Sequence, residues 1–178
     1  MDEIKIIDSY HRGLINAALA TFPLEHWCGW HRYTGKQGEK FATKDSLRIT
    51  PASKLLIDLM AAIEVGEGCF PDLDLHGAGM HWIKEGGSLP LHRDAQTHPL
   101  TGWTRRFNAI LFLESCDGGE LRFEDTGEEI QPEAGRLIIF PVNSPHQVLP
   151  VKKGNRRTLS LFWWDLSESD GNLNAEWL

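Results

Sequence analysis

At 178 residues, 41% hydrophobic and 24% charged, the chain has the size and balance of one globular domain able to bury its own core. Its net charge of −7 argues against a protein built to coat nucleic acid, and no apolar run approaches the roughly 20 residues that span a bilayer. Three unclustered cysteines, Cys28, Cys69 and Cys116, read as free thiols in a reducing, cytoplasmic setting rather than as a disulfide framework or a zinc site.

The charged residues of the first eight positions, Asp2, Glu3, Lys5 and Asp8, fit neither a signal peptide nor a transit peptide. Ser9 is positioned to cap a helix to about Thr21, with Leu14, Ile15, Ala18 and Leu19 as an apolar stripe and Pro23 ending it. Segment 27–46 follows, rich in Gly, Lys and Thr, with Trp27, Trp30 and Tyr33 at its start. It is too long and polar for a simple connector, and reads equally as a mobile substrate loop or as a surface excursion anchored by its aromatics. The basic groups Lys36, Lys40, Lys44 and Arg48 read as a solvated loop. Thr50-Pro51 makes a cap and first-turn pair for a second helix, whose face of Leu55, Leu56, Leu59, Met60 and Ile63 runs until Gly66. Residues 1–75 are thus expected as helical support, with both helices on the outside of a sheet.

From His76 onward, strand-like runs at 79–84, 89–94, 106–114, 120–124, 129–131, 137–141, 146–151 and 156–164 are separated by turns. Glu85-Gly86-Gly87, Asp117-Gly118-Gly119, Asp125-Thr126-Gly127, Glu133-Ala134-Gly135 and Lys153-Gly154-Asn155 supply the turn chemistry. Short strands after helices predict an α+β, mainly β fold. Its core over 76–166 is a jelly roll (double-stranded β-helix) with N-terminal helices packed on one sheet, and the whole of 1–178 is one domain.

His92-Arg93-Asp94 carries the most chemistry. A His and an Asp two residues apart on a strand share a face, and with His146 they make the two imidazoles and one carboxylate that non-heme iron oxygenases use. On the last strand Arg156, Thr158 and Ser160 share one face, and Arg157, Leu159 and Leu161 the other. The leucine face should meet the helices, which turns Arg156 inside, where a guanidinium asks for a carboxylate partner. His98, four residues after Asp94, reads as a group behind the site or on the surface; His11, His26, His31 and His76 read as surface or local structure, and His81 is ambiguous.

From about Met80 to Trp164 the chain resembles the iron(II)- and 2-oxoglutarate-dependent oxygenase superfamily, and most of all its prolyl-4-hydroxylase-like branch. The resemblance rests on Gly86-Gly87, His92-Arg93-Asp94, the strand Asn108 to Leu113, Gly118-Gly119-Glu120-Leu121, Gly135 to Phe140, and His146 through Gly154-Asn155-Arg156. It implies that His92, Asp94 and His146 are the catalytic metal ligands for Fe(II). It also implies that Arg156 holds the distal carboxylate of 2-oxoglutarate with Thr158 beside it. The family often places tyrosines where this chain has Trp82 or Ile83, and Phe112, so Asn108 and Trp82 join Arg156 and Thr158 as cosubstrate-binding candidates. Arg157 is the rival to Arg156, which is preferred because it follows Gly154-x and has a hydroxyl two residues on. The implied reaction consumes O2, with ascorbate as an auxiliary reductant, and the intact Asp94 favours hydroxylation over halogenation. A prolyl residue of a peptide or protein is the first expected substrate. A free amino acid or other small molecule is the alternative, as is a metal-binding jelly-roll module without turnover. Neither nucleic acid nor a membrane is an expected partner, and the chain is expected as a monomer or homodimer.

Overall fold

The computed structural model describes residues 3–21, 30–33, 42–44, 51–73, 78–98 and 101–165. In chain order its elements are β1 (Lys5–Ile7), α1 (Arg12–Thr21), β2 (Trp30–Tyr33), β3 (Ala42–Lys44), α2 (Pro51–Ala61), β4 (Cys69–Asp72), β5 (Ala78–Lys84) and β6 (Leu89–His92). They continue with β7 (Arg105–Phe112), β8 (Asp117–Gly118), β9 (Leu121–Phe123), β10 (Glu129–Ile130), β11 (Leu137–Pro141), β12 (His146–Val148), β13 (Val151–Lys153) and β14 (Asn155–Asp165). The large sheet runs β1-β11-β7-β14-β5-β2-β3, with β4 also on β14; the small one runs β10-β9-β12-β6, and β13 pairs with β8. This is the jelly roll expected from the spacing of strands and turns. Among the described residues no helix is long and apolar enough to cross a membrane.

Period-two alternation on β14 builds the two sides of the large sheet. Leu159, Leu161 and Trp163 are at most 1% exposed and join Ile15 of α1 and Leu56, Ile57 and Met60 of α2 in one core. Each such side chain contributes about 1.5–3 kcal/mol by leaving water. The other face meets the small sheet, where Ile83, Ile110, Phe112, Ile138 and Phe140 pack on Leu121, Phe123 and Val148. Arg156, Thr158 and Ser160 lie on this inner face, line a cavity and are buried despite their polarity. The fold therefore puts polar groups into the middle of a β-sandwich, which is the place to look for chemistry.

Several local expectations change. Ser9 and His11 have φ of 58° and 46°, and the amide of Tyr10 donates to the Gly135 carbonyl at 2.7 Å, so α1 starts at Arg12 after a turn rather than at a Ser9 cap. The second helix ends at Ala61, short of Gly66, in a tightened turn where the Ile63 amide donates to Met60. Its Leu55 is 49% exposed while Ile57 is buried, so the apolar face is rotated from the expected stripe. The first third is not only helical: β1 to β4 all pair into the large sheet. Within 27–46 the described residues 30–33 and 42–44 are strands; β2 runs parallel to β5, and β3 antiparallel to β2. The remainder of 27–46, with Cys28, Lys36 and Lys40, lies outside the described residues, as do His26, Arg48, Thr50 and His76. The run expected at 146–151 divides into β12 and β13 around Leu149-Pro150, where proline has no amide to donate.

Candidate metal and cosubstrate site

His92 ends β6, Asp94 follows two residues later, and His146 opens β12. Pairing of β12 with β6 sets His146 opposite His92, which brings together residues far apart in the chain. One donor atom from each of His92, Asp94 and His146 lies within 4.8 Å of the others. His92 Nε2 stands 3.7 Å from Asp94 Oδ1, and His146 Nε2 stands 3.8 Å from Asp94 Oδ2. Each imidazole is steered by its own chain: Nδ1 of His92 lies 2.8 Å from the Pro90 carbonyl, and Nδ1 of His146 lies 2.9 Å from that of Ser144. A carbonyl only accepts, so each Nδ1 carries a proton, which leaves Nε2 as the nitrogen on the Asp94 side that could bind a metal. Burial pushes the His146 imidazole below the ordinary histidine value, against the opposing pull of Asp94. Phe140 packs its edge on the His146 ring at 5.1 Å between centroids. Two oriented imidazoles and one carboxylate form a donor set that fits Fe(II) with coordination positions left over.

The cluster opens into a cavity of ≈ 330 Å³ between the sheets, whose walls include His81, Asn108, Ile110, Arg156, Thr158 and Phe162. Arg156 is 2% exposed. Its Nε donates to the Gly119 carbonyl at 2.9 Å, and its guanidinium carbon lies 4.9 Å from the centre of the Phe112 ring. Gly119 has a φ of 69°, and a Cβ there would stand 3.2 Å from Arg156 Cδ, so the glycine is what lets the arginine stem pass. A buried planar fork with the Thr158 hydroxyl on the same face suits a carboxylate, and 2-oxoglutarate offers one at the end away from a metal. Arg157 points to the opposite face, where its Nη1 lies 3.3 Å from Glu114 Oε1 and its guanidinium carbon 4.5 Å from the Trp82 ring centre.

Two cosubstrate candidates sit elsewhere. Trp82 faces away from the cavity: its Nε1 donates to Asn155 Oδ1 at 2.9 Å, and its ring packs on the helix-side core. With Trp82 out, Ile83 and His81 are in, and both line the cavity. Asn108 does line it, but at the metal end, with Nδ2 donating to Asp94 Oδ2 at 2.8 Å. Asn108 pairs with Phe162, six residues from Arg156 along β14, roughly 20 Å of strand, so it stands away from the carboxylate end. His98 is neither a cavity residue nor a surface one. At 1% exposure it accepts the Thr101 amide on Nδ1 and faces Asp72, which is also bonded to Arg105 at 3.0 Å. The sequence reading also missed Arg93, which lines the cavity mouth and donates to the Asn143 carbonyl, linking the segments that carry Asp94 and His146. Counting parity back from Trp82 would have assigned His81; nothing local signals the Arg93 link.

Comparison with known proteins agrees with this geometry. Residues 78–165 match the 2OG-Fe(II) oxygenase superfamily. Over 82 residues the chain is 43% identical to a PKHD-type hydroxylase of Pseudoalteromonas atlantica, an overlap of 41% of this chain and 36% of that protein. The chain thus covers little more than a third of that relative's length. A 2OG-Fe(II) oxygenase family oxidoreductase from Burkholderia pseudomallei superposes with a TM-score of 0.64 over 91% of this chain and 85% of its own, at 16% identity. A viral collagen prolyl hydroxylase from Paramecium Bursaria Chlorella virus-1, solved with 2OG, gives 0.59 over 92% and 96% at 13% identity. At such identities the two structures speak for the fold. Taken with the matched sequence, they make the assignment plain: through residues 78–165 this chain belongs to the 2OG-Fe(II) oxygenase superfamily.

Proposed function

We propose that the chain is an Fe(II)- and 2-oxoglutarate-dependent dioxygenase, prolyl-4-hydroxylase-like, that hydroxylates a prolyl residue of a peptide or protein and releases succinate and CO2. The observation that carries this reading is a single cavity with the His92, Asp94 and His146 donors at one end and the buried Arg156 at the other. In this reading His92, Asp94 and His146 hold the iron, while Arg156 and Thr158 take the distal carboxylate of 2-oxoglutarate. The bound iron and cosubstrate supply the oxidising power for the C–H bond. What the chain supplies is orientation and shelter. The Pro90 and Ser144 carbonyls fix both imidazoles, Phe112 and Gly119 hold the guanidinium in place, and Ile83 and Ile110 make dry walls between the two ends.

The choice of a prolyl substrate is supported by the resemblance to PKHD-type hydroxylases and by the fold shared with prolyl hydroxylases. Residues 1–178 act as one domain in this reading, as a monomer or homodimer in the cytoplasm, with ascorbate as an auxiliary reductant. Segment 27–46 is the substrate loop, a role favoured by the pairing of its strand β2 with β5, the strand that carries His81 and Ile83 to the cavity. Succinate formation measured against proline-containing peptides, free amino acids and oligonucleotides tests the substrate class. Turnover stimulated by the peptides is the expected result. Stimulation by free amino acids alone would move the assignment to a small-molecule hydroxylase.

A further inference from the structure

We propose that Asn108 is a positioning residue for the iron site, holding Asp94 so that Oδ1 is the oxygen presented to the metal; this rests on the iron reading above. The two histidines take their orientation from carbonyls two residues back in their own segments. Asp94 lies beyond the end of β6, and among the described residues its side chain has one hydrogen bond, from Asn108 Nδ2 to Oδ2 at 2.8 Å. The donor comes from a stiff place. Asn108 is 4% exposed and sits within β7, paired to Phe140 of β11 on one side and Phe162 of β14 on the other. Its orientation follows from chemistry: turning the amide over would set its oxygen against a carboxylate that only accepts.

The consequence concerns coordination positions. With Oδ2 held by Asn108, Oδ1, on the His92 side, is the oxygen free to ligate. A carboxylate released from that bond can turn and chelate through both oxygens, taking a position that the cosubstrate or oxygen needs. Groups that hold a ligand in this way typically change metal affinity by about 10- to 100-fold when removed. Phe162, opposite Asn108 on β14, has no side-chain donor to offer Asp94 in its place.

Asn108→Leu removes the donor while keeping the same branching and heavy-atom count, and Asn108→Ala serves as the second variant should the bulkier leucine disturb folding. Fe(II) binding is measured anaerobically by quenching of tryptophan fluorescence, and the visible spectrum of the Co(II)-loaded protein reports coordination number. Both variants are expected to bind Fe(II) about 10- to 100-fold more weakly and to show an altered Co(II) spectrum. In an Asp94→Ala background the Asn108 substitution should change Co(II) binding no further, since the two residues act through one bond. Unchanged affinity and spectrum, or an equal loss in both backgrounds, overturns the proposal. Failure of the unsubstituted protein to bind either metal overturns the iron reading itself, which separates the two results.

Discussion

Replacing Arg156 by alanine should abolish most of the affinity for 2-oxoglutarate while the same change at Arg157 should not. Arg156 is 2% exposed, with one nitrogen on the Gly119 carbonyl and its plane against Phe112. A carboxylate received there makes two charge-assisted bonds in a desolvated place, each contributing about 1.5–3 kcal/mol. The loss is therefore roughly 3–4 kcal/mol, or about 100- to 1,000-fold in Kd, allowing for water entering the vacated space. The Arg157 side chain is 13% exposed and pairs with a third-exposed Glu114 at 3.3 Å, on the other face of the sheet. Removing it costs about 0.2–1 kcal/mol of stability and leaves the cavity unchanged. Arg156→Lys should fall between, because it keeps the charge and loses the fork. Calorimetric titration of 2-oxoglutarate into the Mn(II)-loaded protein gives the three affinities directly. A larger loss at Arg157 than at Arg156 would refute the strand parity on which the site is built.

The pH dependence has a definite sign. Burial depresses the His146 pKa, so the unfolded chain takes up this proton first, and the stability that His146 contributes is present above the ordinary histidine value and lost progressively as pH falls from there through the lower folded pKa. Urea midpoints of the metal-free protein from about pH 8 to about pH 5 should fall more steeply for the native sequence than for His146→Ala, and equal slopes would contradict the burial argument. Leu161→Ala, at 0% exposure beneath the helices, should cost about 2–5 kcal/mol in chemical denaturation and leave the cavity lining intact. Proteolysis within 27–46 should slow when cosubstrate and a substrate peptide are both bound; unchanged cleavage would remove that segment from the substrate site.

The large features of the fold were legible because strand parity is a strong signal where one face is apolar. On β14 the run from Arg156 to Leu161 alternates cleanly, so the side that meets the helices and the side that meets the cavity follow from the sequence alone. On β5 the same reasoning stalls. Met80, Trp82 and Ile83 are all apolar, so both faces look buried, and only the register with β14 shows Trp82 outside and His81 inside. Asn108 was visible as a polar residue in an apolar strand, but its distance from Arg156 depends on how β7 and β14 slide past each other. The short strands β2 and β3 have no alternation of their own; β2 takes its conformation from β5 beside it, and β3 from β2. His98 looked like a loop residue because Asp72 and Trp164, which pack against it, come from β4 and β14.

The central claim is that His92, Asp94 and His146 hold an iron that 2-oxoglutarate can chelate. Its most direct measurement is the visible absorption of the protein mixed anaerobically with Fe(II) and 2-oxoglutarate. A weak charge-transfer band that disappears in Asp94→Ala is the predicted result. A correctly folded native protein without that band, or an undiminished band in Asp94→Ala, would contradict the account.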